Sequence, residues 1–189
     1  MQSVLIVSSS EKSTDTLTQM LAQNSFDEIT TVQNGVSARR LMLERDFDLC
    51  IINAPLRDEF GEALGRNIAQ TNACQVILIV AANIFDEVAA KVEDFGVIAI
   101  SKPVNQQIFW GALKIAGATH KKLNSLKKEN EKLIQKIKDI KVVDRAKCML
   151  IEYLKMSESE AHKYLERQAM DMRKTKRAIA DGVLKTYEN

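Results

Sequence analysis

Two groups of polar side chains in this chain have types and spacing that could do chemistry. The first follows the ends of short apolar runs: Ser8 and Ser9 after VLIV, Asn53 after LCII, Asn83 after VILIVAA and Lys102 after VIAIS. Two hydroxyls, two amides and an ammonium can hydrogen-bond a small polar ligand. They pair no nucleophile with a general base, so the group does not describe a catalytic centre. Asp58 and Glu59, a few residues beyond Asn53, are carboxylates that could take a metal or a phosphoryl group. The second group is basic and lies near the C-terminus: Arg145, Lys147, Arg167, Arg173, Lys174, Lys176 and Arg177. Such a density of cations suits phosphate contacts, with an affinity that falls steeply with salt. Taken alone, it equally describes a solvated basic face.

The elements that must position the first group alternate. Apolar runs at Val4–Val7, Ile29–Val32, Leu49–Ile52, Val76–Ala81 and Val97–Ile100 read as strands, four of them near-continuous as in a parallel sheet buried on both faces. Helical spacing of three or four separates them over 13–23, 36–45, 62–70, 84–94 and 105–116. Strict alternation predicts an α/β domain with right-handed crossovers and a five-stranded, flavodoxin-like parallel sheet over 1–118. Its crevice lies at the carboxyl ends of the strands, where the first group of polar residues falls.

The order of these elements, the Lys102-Pro103 pair in SKPV, the VLIV strand and the Asp48-Leu49 opening of the third strand resemble a two-component response-regulator receiver domain. That resemblance implies two carboxylates after the first strand and an Asp at the end of the third, holding Mg²⁺ and accepting a phosphoryl group. Here the acidic pair reads Ser8-Ser9, and the phosphoacceptor-equivalent position reads Asn53. The hydroxyl expected after the fourth strand is Ala81, and the aromatic switch position of the fifth is Ala99. The expectation is a pseudo-receiver that does not take phosphate, with Lys102 in a structural role, such as a hydrogen bond to Asn53.

After Pro103 a helical reading continues almost to Ser157. Between Leu123 and Ile140 apolar residues recur at alternating intervals of three and four. Leu123, Asn130 and Ile137 take the a positions, and Leu126, Leu133 and Ile140 the d positions. Leucine at d with one Asn at a is a feature of parallel two-stranded coiled coils, in which the Asn sets register. The segment 119–142 is therefore expected to join two copies into a homodimer. The alternative is a single amphipathic helix folded back on its own domain.

Residues 143–189 read as three short helices. Val143, Ala146, Met149, Leu150 and Leu154 form the apolar face of the first. Ser157 and Glu160 form a capping box for the second, which is expected to bury Ala161, Tyr164, Leu165, Ala169 and one of Met170 or Met172. Thr175 is the expected N-cap of the third, whose apolar face is Ala178, Ile179, Val183 and Leu184. Ala146-Lys147, Met149-Leu150-Ile151, Glu160-Ala161, Leu165, Ala169-Met170-Asp171 and Ala180 resemble an ANTAR domain, with Cys148 where that family usually has glycine. The resemblance implies binding of RNA stem-loops in nascent leader transcripts, preventing a transcription terminator from forming. It places the basic residues named above at the RNA. Exposed loop bases are the sensible target, because the deep groove of duplex RNA excludes a helical bundle.

Charge is distributed to match. Residues 1–118 carry 9 basic and 14 acidic side chains, and residues 119–189 carry 18 and 11, around a formal net charge of +2. The uneven split suggests a controlling domain joined to a basic effector end. Cys50, Cys74 and Cys148 lack CxxC spacing and are expected to be reduced, buried thiols of a cytoplasmic protein. No segment has the apolar length of a membrane span. The chain is expected to be a non-enzymatic RNA-binding antitermination regulator, without cofactor or metal. A regulatory protein or small ligand at the N-terminal domain is its expected input. The alternative readings are a DNA-binding regulator and a module sequestered by a partner.

Overall fold

A computed structural model of the chain describes residues 3–22, 26, 28–71 and 74–187. The expected helical stretch ending at Gln23 and the last two residues of the C-terminal segment reach outside the described residues. The chain divides into two compact units, Met1–Ser125 and Leu126–Asn189.

In the first unit, β1 (Ser3–Ser8), β2 (Glu28–Val32), β3 (Leu49–Asn53), β4 (Gln75–Ala81) and β5 (Ile98–Lys102) form one parallel sheet in the order β2-β1-β3-β4-β5. Helices α1 (Glu11–Ala22), α2 (Gly35–Glu44), α3 (Glu62–Thr71) and α4 (Phe85–Val92) make the crossovers, and the start of α5 (Gln106–Leu154) follows β5 and packs against the sheet. Successive strand side chains point to opposite faces. Val4, Ile6, Leu49 and Ile51 therefore pack with Leu17 and Leu21 of α1 and Phe109 and Leu113 of α5. Leu5, Val7, Cys50 and Ile52 pack with Ala38, Met42, Leu64, Ile68, Val88 and Val92 of α2, α3 and α4. Burying one such aliphatic side chain is worth about 1.5–3 kcal/mol, so the doubly covered strands supply the main stabilisation of this unit.

Loop contacts complete the frame. Asn34 caps α2 by accepting from the Ser37 N–H at 2.7 Å. Gly35 opens α2 where a Cβ would lie 1.7 Å from Glu59 Oε1, so a larger residue there would push aside the mobile end of that side chain. His120 is buried in α5, with Nε2 3.1 Å from Asp48 Oδ1 and 2.7 Å from the Asn124 amide.

In the second unit, α5 continues to Leu154 and is followed by α6 (Glu158–Asp171) and α7 (Lys176–Tyr187). The core is Ala146, Leu150, Ala161, Leu165, Ala169, Ile179, Ala180 and Val183. The Ser157–Glu160 capping box forms in both directions, and Thr175 Oγ1 accepts from the Ala178 N–H at 3.2 Å.

Several expectations about burial are corrected. Met170 and Met172 are both exposed. The buried row of α6 runs Ala161, Leu165, Ala169; Met170 turns about a quarter-turn away from it, and Met172 follows the helix end. Leu154 is exposed because α5 stops there, and Ala178 lies one residue off the buried stripe of α7. Cys50 and Cys74 are buried, and burial pushes the Cys74 thiol up to about 12. Cys148, expected to be buried, is exposed.

Candidate functional site

The crevice of the first unit is built from two register pairs at the carboxyl ends of the sheet. Ser8 of β1 lies opposite Asn53 of β3, and Ala81 of β4 opposite Lys102 of β5. Ser8 and Asn53 are both buried, and the Asn53 amide donates to the Ser8 hydroxyl at 3.0 Å. The Ser8 hydroxyl in turn donates to the Ser10 carbonyl at 3.2 Å, and Ser9 donates to the Pro55 carbonyl at 3.0 Å. This is a neutral chain of hydrogen bonds. It holds no carboxylate to offset a divalent cation, and an amide lacks the nucleophilic oxygen that forms an acyl phosphate.

Lys102 does not bond Asn53. Its Nζ donates to the Ala54 carbonyl at 2.5 Å, one residue along, because the Asn53 side chain is turned inward to Ser8. Burial lowers the Lys102 ammonium below its usual range. Ala81 and Ala99 contribute no polar group, and Asn83 stands exposed on the short 3-10 turn Ala82–Ile84.

Asp58 and Glu59 are engaged elsewhere. The Asp58 carboxylate accepts from the Gly35 and Val36 N–H groups at 2.9 and 3.0 Å, at the start of α2. Those bonds hold its pKa below the usual carboxylate range, as expected for an anion satisfying orphan helix donors. Glu59 forms a two-pronged ion pair with Arg39, with Nη2 to Oε2 at 2.9 Å. Among the described residues no cluster of three His, Cys, Asp or Glu is placed to hold a metal ion.

The seven basic residues of the second unit separate into distinct settings. Lys147, Lys176 and Arg177 converge on an open pocket of about 460 Å³ between α5, α6 and α7, with Lys136 and His162. Each is paired there or beside it. Lys147 lies 2.9 Å from Asp144 and 3.0 Å from Glu158, Lys176 2.5 Å from Glu166, and Arg177 bonds Asp139. Lys147 is half-buried and its carboxylate partners are exposed, and water reaches and screens all of these pairs, so a phosphate could exchange with them. Arg145 is also exposed.

Arg167, Arg173 and Lys174 are exposed and have no carboxylate partner among the described residues. Arg173 and Lys174 form the turn after α6. The Lys174 N–H returns to the Ala169 carbonyl at 2.9 Å and the Arg173 N–H to the Met170 carbonyl at 3.2 Å. This is a Schellman ending, and Arg173, with φ 51°, takes the left-handed position that usually belongs to glycine. Lys174 also lines a second groove of about 360 Å³ with Tyr164, Gln168 and Tyr187. Tyr187 stacks on Tyr153 at a ring-centroid distance of 5.2 Å. Tyr164 packs against the core, whereas the exposed Tyr153 escaped the sequence reading, because a stack between α5 and α7 leaves no local pattern.

The heptad positions form a continuous apolar stripe. Leu123, Leu126, Leu133, Ile137 and Ile140 are 48%, 52%, 51%, 53% and 59% exposed, so each presents apolar surface to solvent. Asn130 is exposed in the same row, and Ile134 widens it.

Comparison with known proteins follows the same division. Residues 4–114 match the response regulator receiver domain, and residues 131–184 match the ANTAR domain. The transcriptional regulatory protein PdtaR of Mycobacterium tuberculosis is 26% identical over 90% of this chain and 83% of its own length. Among solved structures, the signal receiver domain of an HD domain-containing protein from Pseudomonas fluorescens Pf-5 is 24% identical, covers 66% of this chain and 92% of its own, and superposes with a TM-score of 0.59. A two-component response regulator from Clostridium difficile is 20% identical over 61% of this chain and 95% of its own, with a TM-score of 0.55. These two similarities concern the fold of the first unit.

Proposed function

The chain belongs to the response-regulator receiver family and carries an ANTAR domain, and from that premise we propose that it is an RNA-binding transcription antitermination regulator acting as a homodimer. The observation that carries this reading is the turn between α6 and α7. It presents Arg173 and Lys174 to solvent without a carboxylate partner among the described residues. It also holds a long cationic side chain at a left-handed position where glycine would cost less. Lys155 closes α5 in the same left-handed conformation, so the conformation serves the helix ending, and it is the exposed charge of Arg173 and Lys174 that supports a contact role.

The remaining cations supply phosphate contacts around this turn, with Lys147, Lys176 and Arg177 exchanging their carboxylate partners for RNA phosphates. Specificity comes from loop bases, since single-stranded bases can stack and hydrogen-bond where a duplex cannot be read. The exposed heptad stripe supports a second copy of the chain as its cover, with Asn130 fixing parallel register. The first unit acts as a pseudo-receiver, because a neutral Ser8–Asn53 pair stands where phosphoryl chemistry needs anions. Its input is then a regulatory protein or a small ligand. A regulator of nascent transcripts works in the cytoplasm and is not an enzyme.

A competition assay tests the reading. A stem-loop RNA with an unpaired loop is expected to displace labelled RNA from the full chain far better than duplex DNA of equal length. Equal competition, with the same dependence on salt, would leave only non-specific charge binding.

A further inference from the structure

A cavity of about 310 Å³ opens in the first unit between α1 and the connection from β5 to α5. It lies at the low end of the roughly 300–1,000 Å³ that ligand pockets occupy. Its lining combines two chemistries. Leu17, Met20 and Val104 are apolar, with Leu17 buried in the core. Lys12 and Lys102 are cations, beside the polar Ser13, Thr16 and Asn53.

These two cations have no carboxylate within ion-pair distance among the described residues. Lys102 is half-buried and spends one donor on the Ala54 carbonyl. An ammonium carries three donors, so two remain for a ligand. Burial without a counter-charge depresses its pKa, which marks a site where an anion would be favoured. The paired carboxylates of this unit lie elsewhere: Asp58 and Glu59 are held at α2.

We propose that this cavity binds a small organic anion with an apolar body, its charged end held by Lys102 and Lys12 and its body against Leu17, Met20 and Val104. The anion supplies the charge that Lys102 lacks. The apolar body distinguishes the ligand from inorganic phosphate, which would leave those walls uncovered. The site is at the end of the sheet where a receiver takes its input, so occupancy there would replace phosphoryl transfer as the signal. The proposal rests on the pseudo-receiver reading, whose small-ligand input it specifies, and its test involves neither RNA nor phosphoryl transfer, so its failure is distinguishable from theirs.

The test is methyl NMR of the full chain titrated with hexanoate, hexanol and inorganic phosphate. Hexanoate is expected to shift the Leu17, Met20 and Val104 methyls and to bind at least about tenfold more tightly than hexanol, because only the acid makes charge-assisted hydrogen bonds. Inorganic phosphate is expected to bind more weakly than hexanoate. Lys102→Met should reduce hexanoate to the level of hexanol. Lys12→Met, at an exposed position of α1, should weaken it in the same direction and serves if the first variant does not fold. Equal affinity for hexanoate and hexanol, hexanoate shifts confined to other parts of the chain, or no shift with hexanoate would each overturn the proposal.

Discussion

The Asn53 side-chain amide donates to the buried Ser8 hydroxyl at 3.0 Å, joining register partners at the ends of β3 and β1. Two polar side chains placed under a crevice thus satisfy one another. A buried polar pair that is paired costs little, whereas either member left alone would cost about 1–3 kcal/mol. The pair also turns Asn53 away from Lys102, which is why the ammonium reaches the Ala54 carbonyl. The polar groups at the strand ends thus form a neutral pair, with the Lys102 ammonium beside it.

Acetyl phosphate with Mg²⁺ is expected to leave the intact mass of the protein unchanged. Asn53 has no nucleophilic carboxylate, and Asp58 is occupied by two backbone donors. An adduct of one phosphoryl group would overturn the pseudo-receiver reading and direct attention to Asp58.

Arg173→Gly should separate stability from binding. Relieving a left-handed arginine is worth about 1 kcal/mol, so α6 and α7 amides should gain protection in hydrogen exchange. RNA affinity should fall at the same time, by roughly tenfold for one lost cationic contact. Greater protection with unchanged affinity would remove Arg173 from the interface.

Asp58 should make the first unit sensitive to acid. Its folded pKa is depressed by the Gly35 and Val36 N–H groups, so its contribution is present above the usual carboxylate range and is lost as pH falls through the folded value. Wild type should therefore unfold at higher temperature than Asp58→Asn at neutral pH, and the gap should close as pH drops below that range. A gap independent of pH would contradict the capping role.

Ile137→Asp places a charge on the heptad stripe without touching either core. Wild type is expected to sediment as a dimer at micromolar concentration and the variant as a monomer. A wild-type monomer would dismiss the coiled coil, and a dimeric variant would move the interface elsewhere.

Much of this organisation was legible from local pattern. Val4–Val7 and Leu49–Ile52 are continuous apolar runs because both faces of the sheet are covered, so strand positions followed directly. Ser8, Asn53 and Lys102 could be placed at strand ends for the same reason. The capping box at Ser157 and the N-cap Thr175 are contacts between residues three apart, which spacing reveals. What could not be read were partners set by packing. Asp139 and Arg177 meet across 38 positions of sequence, and Asp58 reaches back 23 positions to Gly35. Pairing of Lys147, Lys176 and Arg177 divides a basic cluster that looks uniform in sequence. Cys148 reads as buried from its apolar neighbours, but helical rotation puts it on the outside.

Gel-shift titration of a stem-loop RNA with wild type and with Arg173→Glu/Lys174→Glu tests the central claim most directly. Two reversed phosphate or loop contacts should weaken binding by roughly a hundredfold or more and reduce its dependence on salt, with helicity by circular dichroism unchanged. Unchanged affinity in the helical double variant would contradict the assignment of this turn to RNA.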